Sequence, residues 1–64
     1  MTRTERLLEL LQILRAQRYP ITASTLSERL GISVRSLYRD IKTLQHQGVC
    51  IEGGAGIGYI VKSD

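Results

Sequence analysis

The stretch Leu26-Ser27-Glu28-Arg29-Leu30-Gly31-Ile32-Ser33-Val34-Arg35-Ser36-Leu37-Tyr38-Arg39-Asp40-Ile41 holds the signals that decide the fold. Ala23, Leu26 and Leu30 lie at helical spacing before Gly31. Val34, Leu37, Ile41 and Leu44 repeat that spacing after it. Each set lines one face of an amphipathic helix. Thr22 and Ser33 stand where each helix begins, and both are good N-caps. Gly31 permits the reversal that ends the first of these helices. Ile32 plugs the angle between the two, and Gly48 stops the second. Two short helices joined by so tight a turn have the build of a helix-turn-helix.

Outward from this unit, the chain opens with Thr2-Arg3-Thr4-Glu5, whose Thr2 and Glu5 have the spacing of a capping box. Leu7, Leu10, Leu11 and Leu14 then form an i, i+3, i+4, i+7 face, widened by Leu8 and Ile13. So wide a face buries against more than one neighbour, a partner chain included. Pro20 disfavours helical geometry at Tyr19, so the spacing predicts that this first helix ends near Arg18. Pro20-Ile21 reads as a short extended link. After Gly48 the period changes from helical to two. Val49 and Ile51 alternate with Cys50 and Glu52, and Tyr59 and Val61 alternate with Ile60 and Lys62. Between them lies Gly53-Gly54-Ala55-Gly56-Ile57-Gly58, so residues 49–62 predict a β-hairpin. The expected fold is α+β, mainly α: three helices followed by a two-stranded β-hairpin wing, a winged helix-turn-helix filling one domain over residues 1–64.

At 64 residues the chain buries a marginal core, which argues against most enzymes. Its hydrophobic content of 42% argues against disorder. Nine Lys and Arg against six Asp and Glu leave a net charge of +3, which favours an anionic partner without identifying one. Cys50 is the sole cysteine, so no internal disulfide forms, and composition alone reads it as a small buried hydrophobe. One Cys and one His make no metal site. No stretch is apolar and long enough to span a bilayer, and no signal-peptide pattern is present, so the expected location is cytoplasmic. The glycine-rich loop leads into a strand rather than a helix and lacks Gly-Lys-Ser/Thr, which excludes a nucleotide cradle. Its glycines fit a tight hairpin needing positive φ. The single His has no paired acid in view, so no catalytic residue and no cofactor are expected. An RNA-reading sheet needs aromatic residues on its strands, and Tyr59 is the hairpin's one aromatic.

On a wheel of about 100° per residue with Leu37 at zero, Val34, Ile41 and Leu44 fall within about 60° of it. Arg35, Arg39, Lys42 and His46 fall within about 40° of the opposite pole, with Ser36 and Thr43 beside them. One edge is apolar and anchored, and the other carries cations and small hydroxyls. A helix inserted in a DNA major groove needs that division: arginine reads guanine bidentately, and Ser and Thr contact bases or phosphates. A solvated helix face also collects Arg and Lys, but the turn and the hairpin weigh against so plain a reading. The candidate DNA-binding residues are Thr22, Ser33, Arg35, Ser36, Tyr38, Arg39, Lys42 and Thr43. Thr22 and Ser33 enter because helix N-termini attract phosphate. Asp40 lies off the cationic arc and is expected to pair with an arginine of the first or second helix. The Tyr38 ring is expected to pack, leaving its hydroxyl either solvated or in reach of a phosphate. His46 reads as exposed and neutral in function. Arg15 and Arg18 read as solvated, whereas Arg3 and Arg6 stay open between solvation and contact with a DNA backbone.

The string from Ser33 to Ile41, then Leu44, Gly48, Ile51-Glu52 and Gly56-Ile57-Gly58-Tyr59, resembles the N-terminal winged-helix domain of DeoR-like bacterial transcriptional regulators that carry a WYL effector domain. Arg6-Leu7-Leu8 with Leu11 and Leu14, and Pro20-Ile21-Thr22-Ala23, fit the same pattern, so the resemblance spans nearly the whole chain. Tyr38-Arg39-Asp40-Ile41 is its most specific part. The regulatory domain of biotin ligase repressors is a more distant likeness, sharing the Gly-x-Gly-Tyr of the hairpin. The resemblance implies sequence-specific binding of double-stranded operator DNA by a homodimer, with Arg35, Ser36, Tyr38 and Arg39 as contact positions. It also implies that an effector ligand, if there is one, binds a domain outside these residues. A different class of function, a winged helix that binds a protein through its wide leucine face or its third helix, is the alternative.

Overall fold

The computed structural model describes residues 2–54 and 56–62. Three helices come first: α1 (Arg3–Ala16), α2 (Ala23–Leu30) and α3 (Val34–His46). Two antiparallel strands follow, β1 (Ile51–Gly54) and β2 (Gly58–Val61). This is the winged helix-turn-helix order expected from the sequence.

The helix starts follow the capping residues. The hydroxyls of Thr2, Thr22 and Ser33 accept from the backbone N–H groups of Glu5, Thr25 and Ser36, satisfying donors that have no partner inside the helix. Gly31 ends α2 at φ 67°, in the left-handed region that glycine enters without penalty. The N–H groups of Gly31 and Ile32 then donate to the carbonyls of Glu28 and Ser27, at 3.2 and 3.0 Å, which closes the helix as a Schellman motif.

Leu10, Leu14, Leu26 and Leu37 form the centre of the core, with Ala23, Ile41, Leu44, Ile21 and Ile51 around them. All three helices, the link and the hairpin therefore each give residues to one apolar cluster. On α1 only Leu10 and Leu14 are fully buried, while Leu7, Leu11 and Ile13 pack half-buried at the margin and Leu8 is exposed.

The structure differs from the sequence expectations in four places. First, α1 ends at Ala16 rather than near Arg18, because Gln17 is already extended. Pro20 constrains only Tyr19, and the chain leaves the helix earlier to carry Ile21 across to the hairpin. Second, Ile21 is more than a link. It exchanges both backbone hydrogen bonds with Tyr59, at 2.9 and 2.7 Å, and so adds a bridge to the edge of β2. Third, Cys50 is exposed, not buried. Val49 and Ile51 point to the core on either side of it, and the period of two turns Cys50 outward. Fourth, the strand pairing is shorter than 49–62, running from Ile51↔Val61 to Gly54↔Gly58. Val49 instead donates to the Leu44 carbonyl and still belongs to the exit from α3, although Lys62 reaches back to the Cys50 carbonyl at 2.8 Å.

Of the hairpin glycines, Gly53 and Gly58 hold positive φ. Gly58 has a steric reason as well: a Cβ there would lie 3.0 Å from Pro20 Cβ and from the Ile21 carbonyl carbon. The close approach of the link to the hairpin therefore depends on a residue without a side chain. Ala55, in the middle of this loop, lies outside the described residues.

Candidate nucleic-acid interface

Leu37, Ile41 and Leu44 are buried, which fixes how α3 is rotated about its axis. Arg35, Arg39, Lys42 and His46 are consequently exposed on the opposite side. Ser36 and Thr43 are half-buried along one flank, and Tyr38 is half-buried on the other. The Gln45 amide anchors the far end of α3 by donating to the Ile51 carbonyl at 2.9 Å. Five of the eight candidate residues, Arg35, Ser36, Arg39, Lys42 and Thr43, thus share the outward half of one helix. Ser33 stands at its start, where its hydroxyl contacts that of Ser36 at 3.1 Å. Thr22 is exposed at the start of α2, a separate element, and its hydroxyl is shared between the Thr25 N–H and the Thr25 hydroxyl.

Tyr38 packs its ring edge-to-face on Tyr59, with centroids 6.3 Å apart. This contact couples α3 to the hairpin through two rings that bury apolar area and prefer that geometry. Burial of Tyr59, reinforced by the neighbouring Tyr38, raises the Tyr59 phenol above its ordinary pKa.

The charges on this surface are unequal in freedom. Asp40 is 1% exposed and accepts two bonds from Arg6, from Nε at 2.7 Å and from Nη2 at 3.1 Å. The expectation that Asp40 pairs with an arginine of an earlier helix is met, and Arg6 is the partner. Among the described residues the one other ion pair is Lys62 with Glu52, at 3.8 Å and largely exposed. Arg3, Arg35, Arg39 and Lys42 therefore keep their charge without a carboxylate partner among the described residues.

Sequence reasoning left Arg3 undecided, and the structure places it. Its Nη2 donates to the Thr43 hydroxyl at 3.1 Å, and that hydroxyl donates in turn to the Arg39 carbonyl at 3.0 Å. Arg3 lies one helical step before Arg6, and Asp40 one step before Thr43, so the two pairs form successive rungs between α1 and α3. Beside these rungs is a small cavity of about 160 Å³ lined by Arg3, Arg6, Ser36, Arg39 and Asp40. A wider depression of about 870 Å³ lies at the other end of α1 and α3, between Arg15, Arg18, Val49 and Lys62. None of the eight candidate residues lines it.

The described residues include no group of three or more His, Cys, Asp or Glu placed to hold a metal, and no helix long and apolar enough to cross a membrane. A buried stripe, a tight turn at Gly31 and an outward cationic face define a helix-turn-helix protein of the winged type. The family model described as "HTH domain" matches residues 6–60, and the chain belongs to that family of helix-turn-helix DNA-binding domains. No curated protein matches the chain.

Proposed function

We propose that this protein regulates transcription by binding double-stranded DNA at specific sequences, with α3 in the major groove and the β1–β2 hairpin as its wing. The observation that carries the reading is the outward face of α3. Three cations without a carboxylate partner among the described residues, Arg35, Arg39 and Lys42, project from a helix whose other side is locked into the core. Arg35 and Arg39 read bases or clamp phosphates, Ser36 and Thr43 assist from the flank, and Lys42 holds backbone. Tyr38, packed on Tyr59, offers its hydroxyl to a phosphate at the edge of the groove. Thr22 and Ser33 present the N-termini of α2 and α3 to the duplex.

One module of this kind buries roughly 600–1,000 Å² on DNA, which gives modest affinity. Two copies on half-sites about one helical turn apart account for operator-grade binding. The exposed Leu8 on α1 is consistent with a further contact between protein copies. The likeness to DeoR-like regulators supports the same reading, and an effector, where one acts, is sensed outside these residues. Selection of bound duplexes from a random pool tests the proposal. Enrichment of a symmetric motif supports it. Recovery of duplexes with no shared sequence would remove specificity from the account.

A further inference from the structure

We propose that the cleft between the first turn of α1 and the flank of α3 is a seat for one DNA phosphodiester, with Arg3 and Arg39 as its cations and Ser36 as its neutral donor. The inference rests on the proposed function and deepens it, because it assigns a backbone clamp to a residue outside α3.

Charge on the cleft walls comes first. Arg6 and Asp40 both line the cavity, but they satisfy each other in a two-point pair, so together they form a fixed, nearly neutral wall. Arg3 and Arg39 also line it, and neither has a carboxylate partner among the described residues. The cleft is therefore positive by two charges, and it is small and polar. A guanidinium has five N–H donors in a planar fork, and the geometry commits one donor of Arg3, to Thr43. The remaining donors match the oxygens of a phosphate.

Position selects the phosphodiester among anions. An α-helix with its side chains is about 10–12 Å across, and the B-DNA major groove is about 12 Å wide. A helix lying in that groove has its two flanks against the two phosphate strands. Ser36, Arg39 and Thr43 occupy one flank of α3, and Arg3 is tied to that same flank. Arg3 thus extends the cationic surface sideways from bases to backbone. The Thr43 tether holds the guanidinium in place before DNA arrives, which lowers the entropy lost on binding.

The test compares the whole chain with two variants on the duplex it selects, across a salt series. Arg3→Ala removes the charge. Thr43→Val removes the tether and keeps the charge. The wild type, contacting roughly four to six phosphates, is expected to show a log–log slope of about −4 to −5. Arg3→Ala is expected to weaken binding severalfold on every sequence and to make the slope shallower by about one, with base preferences unchanged. Thr43→Val is expected to weaken binding while keeping the wild-type slope. A wild-type slope in Arg3→Ala, with both proteins bound to the duplex, overturns the phosphate seat and leaves the proposed function standing. A changed preference at one base pair in Arg3→Ala overturns it too, because Arg3 would then read a base. Failure of the wild type to bind any duplex overturns both readings. Urea unfolding of each variant separates lost contacts from lost structure.

Discussion

Asp40 is the one buried charged side chain among the described residues. Its carboxylate is almost fully buried, and both oxygens accept from Arg6. Asp40→Ala removes two charge-assisted bonds and leaves the partly buried Arg6 guanidinium without its carboxylate, so it is expected to lower stability by about 2 kcal/mol. Arg6 keeps partial contact with water, which holds the loss to that order. The urea midpoint reads it, and an unchanged midpoint would contradict the pairing. Tyr59 gives a pH signature. Its phenol is raised by burial and by Tyr38, so the unfolded chain ionises first as pH climbs. Between the ordinary value of about 10 and the raised one, the unfolded state binds fewer protons, and stability falls with rising pH. Tyr59→Phe is expected to flatten that alkaline decline, as followed by thermal unfolding above pH 9. An equally steep decline would place its origin elsewhere. That Asp40 pairs was legible in the sequence, because it stands off the cationic arc of its helix. That Arg6 is its partner was not, since nothing local links positions 34 residues apart. Cys50 shows the reverse error. Composition read it as buried, whereas the alternation of Val49 and Ile51 around it already pointed it outward.

At the scale of elements, the starts of α2 and α3 were legible because capping is a short-range matter: Thr22 and Ser33 bond the N–H three residues ahead. The end of α1 was not, because it depends on where Ile21 must go, and the Ile21–Tyr59 bridge spans the whole helical unit. Two glycines separate these effects. At Gly31 an added Cβ meets nothing within 4 Å, so Gly31→Ala carries only the left-handed backbone penalty of about 1–2 kcal/mol. At Gly58 the same change also drives Cβ to 3.0 Å from the Pro20–Ile21 link. Gly58→Ala is therefore expected to destabilise more than Gly31→Ala, and to speed hydrogen exchange at the Ile21 and Tyr59 amides. Equal losses in the two variants would show that the bridge contributes little to holding the hairpin in place.

Across the whole molecule, one core does two jobs. It joins five elements of a 64-residue chain, and by burying one side of α3 it fixes which side faces out. The fold was legible because the apolar spacings, the turn at Gly31 and the change to period two agree with one another. The candidate face was legible on α3, where one wheel holds all its residues. The share contributed by α1 was not, because Arg3 reaches Thr43 only once the helices have packed. In the proposed function α3 enters the major groove, and the proposed phosphate seat puts α1 at its rim. The most direct measurement is methylation protection on a selected duplex, since guanine N7 lies in the major groove and adenine N3 in the minor groove. N7 protection by the wild type is expected, with one protected guanine per half-site lost in Arg35→Ala and binding weakened by about 1–3 kcal/mol. Protection confined to adenine N3, or an N7 pattern and affinity unchanged in Arg35→Ala, would contradict the placement of α3 in the major groove.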